Sequence, residues 1–217
     1  MFKNLLIVSL MMVSANVALA EVSETPTQTR AQVRERSSEH YRMDKNFEMT
    51  FSPMSFGGFS LTNTGLNAGV FINRNSQVLV SYSWSQSERT CVGFENCDIK
   101  DNFWGLAYKR FVGNSFYMQA GASHHTIQYD ESNSSNDVMF GYDATITTAD
   151  FAVGNQWNFD GFTIGCDWVS FGLPVSSSFS NSYYNSPYTE DDVTNRQDEW
   201  KKNGRMIFAK LYLGGTF

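Results

Sequence analysis

The chain has 217 residues, of which 41% are hydrophobic and 15% aromatic, and carries a formal net charge of −6. Mild acidity without a Lys/Arg cluster gives no reason to expect a nucleic-acid binder. No segment reaches the ~18 consecutive apolar residues of a membrane-spanning helix, which excludes a helical membrane protein.

Residues 1–20 read as a secretory signal. Lys3 gives the basic start, Leu5–Val13 the apolar stretch, and Ala18-Leu19-Ala20 the small residues of a cleavage site before Glu21. No cysteine follows that site, which argues against a lipid anchor. Residues 21–45 form a polar segment with Arg30, Arg34, Glu35, Arg36 and Glu39. It is expected as a disordered periplasmic lead-in. The competing expectation is a short helix over Ala31–Met43 that closes one mouth of whatever follows.

From residue 46 onward the pattern has period two, the signature of strands with two different faces. The first candidate runs about Asn46–Pro53, with Phe47, Met49 and Phe51 opposite Glu48, Thr50 and Ser52. The second, Gly65–Asn73, sets Leu66, Ala68, Val70 and Ile72 against Asn67 and Gly69. The third places Val78, Val80, Tyr82 and Trp84 opposite Ser81, Ser83 and Ser85. The fourth, Asn102–Phe111, offers Trp104, Leu106 and Tyr108 against Gly105, Ala107 and Lys109. The fifth alternates Phe116, Met118, Ala120 and Ala122 with Tyr117, Gln119, Gly121 and Ser123. The sixth, Thr145–Trp157, carries Phe151 and Val153 opposite Asp150, Ala152, Gly154 and Gln156. The seventh opposes Phe162, Ile164, Cys166 and Trp168 to Thr163, Gly165 and Asp167. The last, Met206–Phe217, puts Ile207, Ala209, Leu211, Leu213 and Phe217 on one parity and Lys210, Tyr212, Gly214 and Thr216 on the other.

The connections alternate in length. Tight polar turns join the second strand to the third, the fourth to the fifth and the sixth to the seventh, while the other links are long. Apolar residues on one parity and small or polar ones on the other suit a wall with lipid outside and a narrow, filled interior. Residues 46–217 are therefore expected to form an all-β, eight-stranded antiparallel transmembrane up-and-down barrel. Signal, strand count, loop order and terminal Phe217 together resemble the small eight-stranded outer-membrane barrels of the OmpA/OmpX type. The resemblance implies location in the cell outer membrane with both termini periplasmic. It further implies lipopolysaccharide and outer-membrane lipid as surroundings, and insertion by the barrel-assembly machinery with Phe217 as part of the signal. Gly215 departs from that signal, which usually has a bulky residue two before the end. No activity follows from the architecture.

Candidate chemistry is sparse. His40, His124 and His125 are the only histidines. Ser123 and His125 share a parity, and with Asp130 or Glu131 a hydrolase triad is imaginable. The order is the reverse of the lipid A deacylase pattern, and a catalytic set is not expected. Adjacent His124 and His125 point to opposite faces, and the Glu190-Asp191-Asp192 run lacks spaced ligands, so neither metal nor cofactor is expected. Cys91 and Cys97 are expected to close a loop disulfide in an exported protein, leaving Cys166 as a small hydrophobe. Glu48, Lys109, Asp150, Asp167 and Lys210 fall on the inward parity and are expected to form an interior charge network, with Asp167 and Asp150 as partners of Lys210. The long segment Val175–Gly204 is expected as an external loop whose Phe179, Tyr183, Tyr184, Tyr188 and Trp200 offer surface contacts. The chain is thus expected to be a monomeric, non-enzymatic barrel with a structural role or a surface ligand. The alternatives are a porin-like channel for a small apolar solute and a lipid A-modifying enzyme.

Overall fold

The computed structural model describes residues 38–43, 45–57, 63–90, 96–132, 138–185, 188–202 and 204–217. Its strands are β1 (Phe47–Gly57), β2 (Thr64–Asn73), β3 (Ser76–Thr90), β4 (Asn96–Phe111), β5 (Phe116–Ser132), β6 (Val138–Asn158), β7 (Phe162–Tyr184) and β8 (Arg205–Thr216). They pair antiparallel in sequence order, and β8 returns to β1, giving a closed eight-stranded up-and-down barrel. Closure leaves no edge within the ring, so backbone polar groups there are satisfied between strands. Two helices accompany the barrel, α1 (Ser38–Met43) and α2 (Glu190–Lys202).

Short turns lie at one end. Arg74-Asn75 joins β2 to β3, residues 112–115 join β4 to β5, and Phe159-Asp160-Gly161 joins β6 to β7 with Gly161 at φ 74°. A positive φ in a tight turn is adopted most readily by glycine. At the other end the walls are unequal. β5, β6 and β7 run for 17, 21 and 23 residues, well beyond β1, β2 and β8 at 11, 10 and 12. The segment expected as an external loop from Val175 is thus largely the upper part of β7 followed by α2.

Burial changes meaning partway up these strands. Nearer the turns, Met118 and Phe151 lie exposed on the outside while Gln156, Ser123 and His125 are buried inside. Further up the same inward faces become apolar. Ile127 and Tyr129 follow His125 on β5, Ile146, Ala144 and Tyr142 precede Thr148 on β6, and Ile99 and Cys97 precede Asp101 on β4, all buried. Outward positions become polar in step, through Thr126, Gln128, Thr145 and Asp143. The register puts the switch at one height on neighbouring strands, with Asp101 opposite Ile127 and His125 opposite Ile146. Below it the barrel is apolar outside and polar inside, as hydrocarbon requires; above it the distribution is that of a protein in water. Trp84 and Trp104 stand exposed at this level, and Trp157, Phe159 and Phe162 at the turn end, forming aromatic girdles at both limits.

The C-terminal strand departs from simple alternation. Ala209 has φ 53°, and neither it nor Trp168 has a register partner between β7 and β8. The β7–β8 register runs on unchanged across this point, while β7 slips against β6 and β8 against β1, so parity changes on both strands together. Leu211 and Leu213 face outward as expected, but beyond Ala209 the outward residue is Phe208, 44% exposed, while Ile207 lines an interior cavity.

At the turn end α1 is held by its own side chains. Arg42 is buried against the Phe111 ring, 3.8 Å from its centroid, and donates to the carbonyls of Arg74 and Asn114. Ser38 Oγ accepts from the Asn158 amide, and Glu39 pairs with Arg74 at 3.3 Å. Burial lowers the Arg42 guanidinium to about 10, so it stays charged at neutral pH. Within the expected disordered lead-in, Ser38–Met43 is therefore a docked helical turn; residues 21–37 lie outside the described residues, as do residues 1–20.

Candidate functional site

Inward parity stacks the polar residues in layers, and the layers do not form the single charge network expected from sequence. The lowest layer joins Glu48, Gln156, Lys109, Tyr117, Tyr212 and Asp167. Lys109 Nζ donates to Gln156 Oε1 at 2.9 Å, and Gln156 Nε2 donates to Glu48 Oε2 at 2.6 Å. Tyr117 donates to Asp167, and Lys109 also lies 4.4 Å from the Tyr117 ring centroid. Glycines on facing strands make the room, since a Cβ at Gly154 would stand 2.6 Å from the Tyr117 hydroxyl.

Above this layer lies a cavity of about 70 Å³, room for a few waters, bordered by Asp150, Asp167, Arg205 and Lys210. Lys210 is the register partner of Asp167, as expected, but its hydrogen bond at 3.5 Å goes to Asn67 Oδ1. Asp150 does not pair with Lys210. Its counter-charge is Arg205, at 3.3 Å, which parity alone would have turned outward.

The upper polar layer contains a serine–histidine–aspartate line. Ser123 Oγ lies 3.0 Å from His125 Nε2, and His125 Nδ1 lies 3.0 Å from Asp101 Oδ1. These are nucleophile–base–orienter distances. The acid is Asp101, not Asp130 or Glu131: Asp130 accepts from Tyr183 at 2.6 Å, and Glu131 accepts from Tyr129 and Tyr188. Asp101 shares the parity of Lys109 and would have been found by extending the fourth strand a further step.

Ser123 Oγ also meets Arg205 Nη2 at 2.9 Å and Thr148 Oγ1 at 2.8 Å. Three neighbours fill the one donor and two acceptor positions of a hydroxyl. Ser123 and His125 are buried and absent from the cavity wall. The adjacent strands Gly105 and Thr148 flank Ser123 in register, so the local backbone amides serve the sheet, not an oxyanion.

The top of the interior is an aromatic core. Tyr129 and Tyr142 stack at 5.2 Å, and α2 closes over them with Val193 buried and Trp200 6.2 Å from each ring. Phe179 and Tyr188 also pack against this cluster. Of the residues expected to offer surface contacts, Tyr183 and Tyr184 are exposed, while Phe179, Tyr188 and Trp200 are spent on the core. The α2 start carries a capping box: Asp192 Oδ2 accepts from Thr189 N at 2.9 Å and Thr189 Oγ1 at 2.8 Å. Those bonds hold the Asp192 carboxyl below its ordinary range.

Cys97 is disulfide-bonded and Cys166 carries a free thiol; Cys91 lies outside the described residues. Among the described residues no cluster of His, Cys, Asp and Glu has the arrangement of a metal site.

A closed ring of eight strands, lipid-type outside and polar inside over its lower half, defines a small transmembrane β-barrel. No family model and no curated protein matches the chain by sequence. Among solved structures it is similar to Ail, the attachment invasion locus protein of Yersinia pestis, at 13% identity and TM-score 0.46, covering 81% of this chain and 100% of that one. It is also similar to the N-terminal barrel domain of Pseudomonas aeruginosa OprF, at 16% identity and TM-score 0.42, covering 80% and 98%. For Neisserial surface protein A the values are 8% and 0.44, covering 79% and 95%.

Proposed function

We propose that this protein is an integral outer-membrane barrel with a sealed interior. Its role is structural or surface-binding, exercised at the long-strand end, with both termini in the periplasm. The observation that carries the reading is the inversion of apolar and polar faces at one height on β4, β5 and β6. A wall that changes from lipid-type to water-type within its own strands stands partly in a bilayer and partly above it. The taller part, with its own core and α2, is then the outward portion.

The sealed interior speaks for neither alternative. Buried Gln156, Tyr117 and Tyr212 fill the lumen below the cavity, and the aromatic core fills it above. A serine already bonded to His125, Thr148 and Arg205, without a substrate space beside it, supports a structural hydrogen-bond network over hydrolysis of a lipid acyl chain. The test is conductance of the purified, refolded protein in planar bilayers. Silence is expected, and steady openings reproducible across preparations would refute the sealed lumen.

A further inference from the structure

α2 does not close flush on the wall beneath it. Between the helix and the upper ends of β5 and β6 lies a cleft of about 180 Å³, larger than the lumen cavity. Asp192, Arg196 and Glu199, spaced by four and three residues, line it from one stripe of the helix and are exposed. Glu131 and Phe140, register partners on β5 and β6, line it from the wall and are buried, with Tyr188 beside them. An engineered cavity of ~150 Å³ holds benzene, so this cleft has room for a small organic group.

Three of these lining groups are carboxylates. Glu131 is 3% exposed and accepts from the hydroxyls of Tyr188 at 2.6 Å and Tyr129 at 2.9 Å, both neutral donors. Among the described residues the carboxylates do not group as metal ligands, so the charge that suits them is an organic cation. A further oxygen points the same way. The Tyr142 hydroxyl is buried, has no hydrogen-bond partner among the described residues, and lies within electrostatic reach of Glu131, Arg196 and Glu199. A donor entering the cleft finds beside it an acceptor that the fold leaves unused.

Arg196 shows what kind of cation fits. Its Nη2 stands 3.9 Å from Glu131 Oε2, and its Nη1 stands 3.9 Å from Glu199 Oε2. The fork spans two carboxylates but reaches neither at the ~2.7–2.9 Å of a charge-assisted hydrogen bond. A guanidinium is flat, weakly hydrated and stacks on aromatic rings, whereas an ammonium is a compact, strongly hydrated charge. Phe140 and Tyr188, with ring centroids 5.5 Å apart, supply the aromatic wall.

We infer that the cleft between α2 and the β5–β6 wall binds a guanidinium group supplied from the medium. Glu131 and Glu199 are its carboxylates, and Arg196 is the resident group that it displaces. The inference gives a ligand class to the proposed surface-binding role and rests on it, since only an outward α2 meets such a ligand.

The test is titration of the full-length refolded barrel in zwitterionic detergent at constant ionic strength. The probes are propylguanidinium and propylammonium, followed by NMR of the Trp200 indole and the α2 amides. Saturable binding of propylguanidinium is expected, about tenfold tighter than that of propylammonium. Glu199→Gln, at an exposed position, should weaken it about fivefold, and Arg196→Gln should tighten it by a similar factor by removing the competitor. Glu131→Gln should abolish it. Should that variant fail to show heat-modifiable mobility, the two exposed substitutions still decide the matter. Equal affinity for both probes overturns the inference, as does weakening by Arg196→Gln or indifference to Glu199→Gln. A blocked glycyl-arginyl-glycine peptide separates the sources: tighter binding than propylguanidinium marks a peptide ligand, and equal binding a small free cation. Fractionation of the protein away from the outer membrane would instead fail the placement and leave the titration untouched.

Discussion

Arg205 is the residue on which the upper interior turns. It reaches Ser123, Asp150 and the His125 ring from the first position of β8. Replacing it with Met leaves Asp150, a quarter exposed beside the cavity, with Thr148 as its remaining donor, so the loss should fall below the roughly 3–5 kcal/mol of a fully buried pair. Asp150→Leu added to Arg205→Met should then cost less than the sum of the single changes. Urea unfolding of the three variants in lipid measures this coupling, and strict additivity would show that the pair is independent. Lys210, by contrast, makes one long hydrogen bond at 3.5 Å to Asn67 and no ion pair among the described residues, so Lys210→Met should be the milder change in the same assay.

At the scale of elements, sequence alternation located the centre of every strand but misjudged the upper limits of several. Tyr142, Ala144 and Ile146 do alternate with Asp143, Thr145 and Thr147. Their apolar parity, however, is opposite to that of Phe151 and Val153 on the same strand. A reader expecting lipid outside throughout therefore stops at the inversion and assigns the rest to a loop. Arg205 and Ile207 were hidden differently, because a bulge at Ala209 leaves no compositional mark when the residue is not glycine. The serine–histidine pair was legible, and its acid was missed by ending a strand too early. α2 was hidden by a polar composition that only its buried Val193 and Trp200 contact relieve.

The capping box of α2 carries a pH dependence. Asp192 is held ionised by Thr189, so its folded value lies below the ordinary 3.8. A depressed carboxyl contributes stability that is complete above the unfolded value and is lost as pH falls through the folded one. Acidification below 3.8 should therefore loosen α2 and release Trp200 from Tyr129 and Tyr142. Asp192→Asn should flatten that component of the Trp200 signal, obtained as the difference from a Trp200→Phe control. An unchanged transition would exclude the cap as its source.

For the whole molecule, Phe217 extends the β1–β8 closure by one more set of backbone bonds. Phe217 O accepts from Asn46 N and Phe47 N, and Phe217 N donates to Phe47 O. Those bonds fasten β8 to β1 at the turn end, while the 68% exposed ring lies against the lower girdle level. Deleting Phe217 should reduce the amount of heat-modifiable protein recovered from the outer membrane. Wild-type yields after the deletion would remove both the fastening and the assembly role from this residue.

The unequal height of the wall gives the barrel a front and a back. β1, β2 and β8 stop near the girdle, whereas β5, β6 and β7 continue as a screen with its own aromatic core. In a crowded bilayer, another protein can come belt to belt on the low side, but on the high side it must stand off or fit beneath the screen. In the proposed membrane placement, lateral neighbours would thereby be sorted by silhouette. The long axis of the screen also gives each molecule a heading in the plane, so crowding alone would order copies by azimuth as well as by distance.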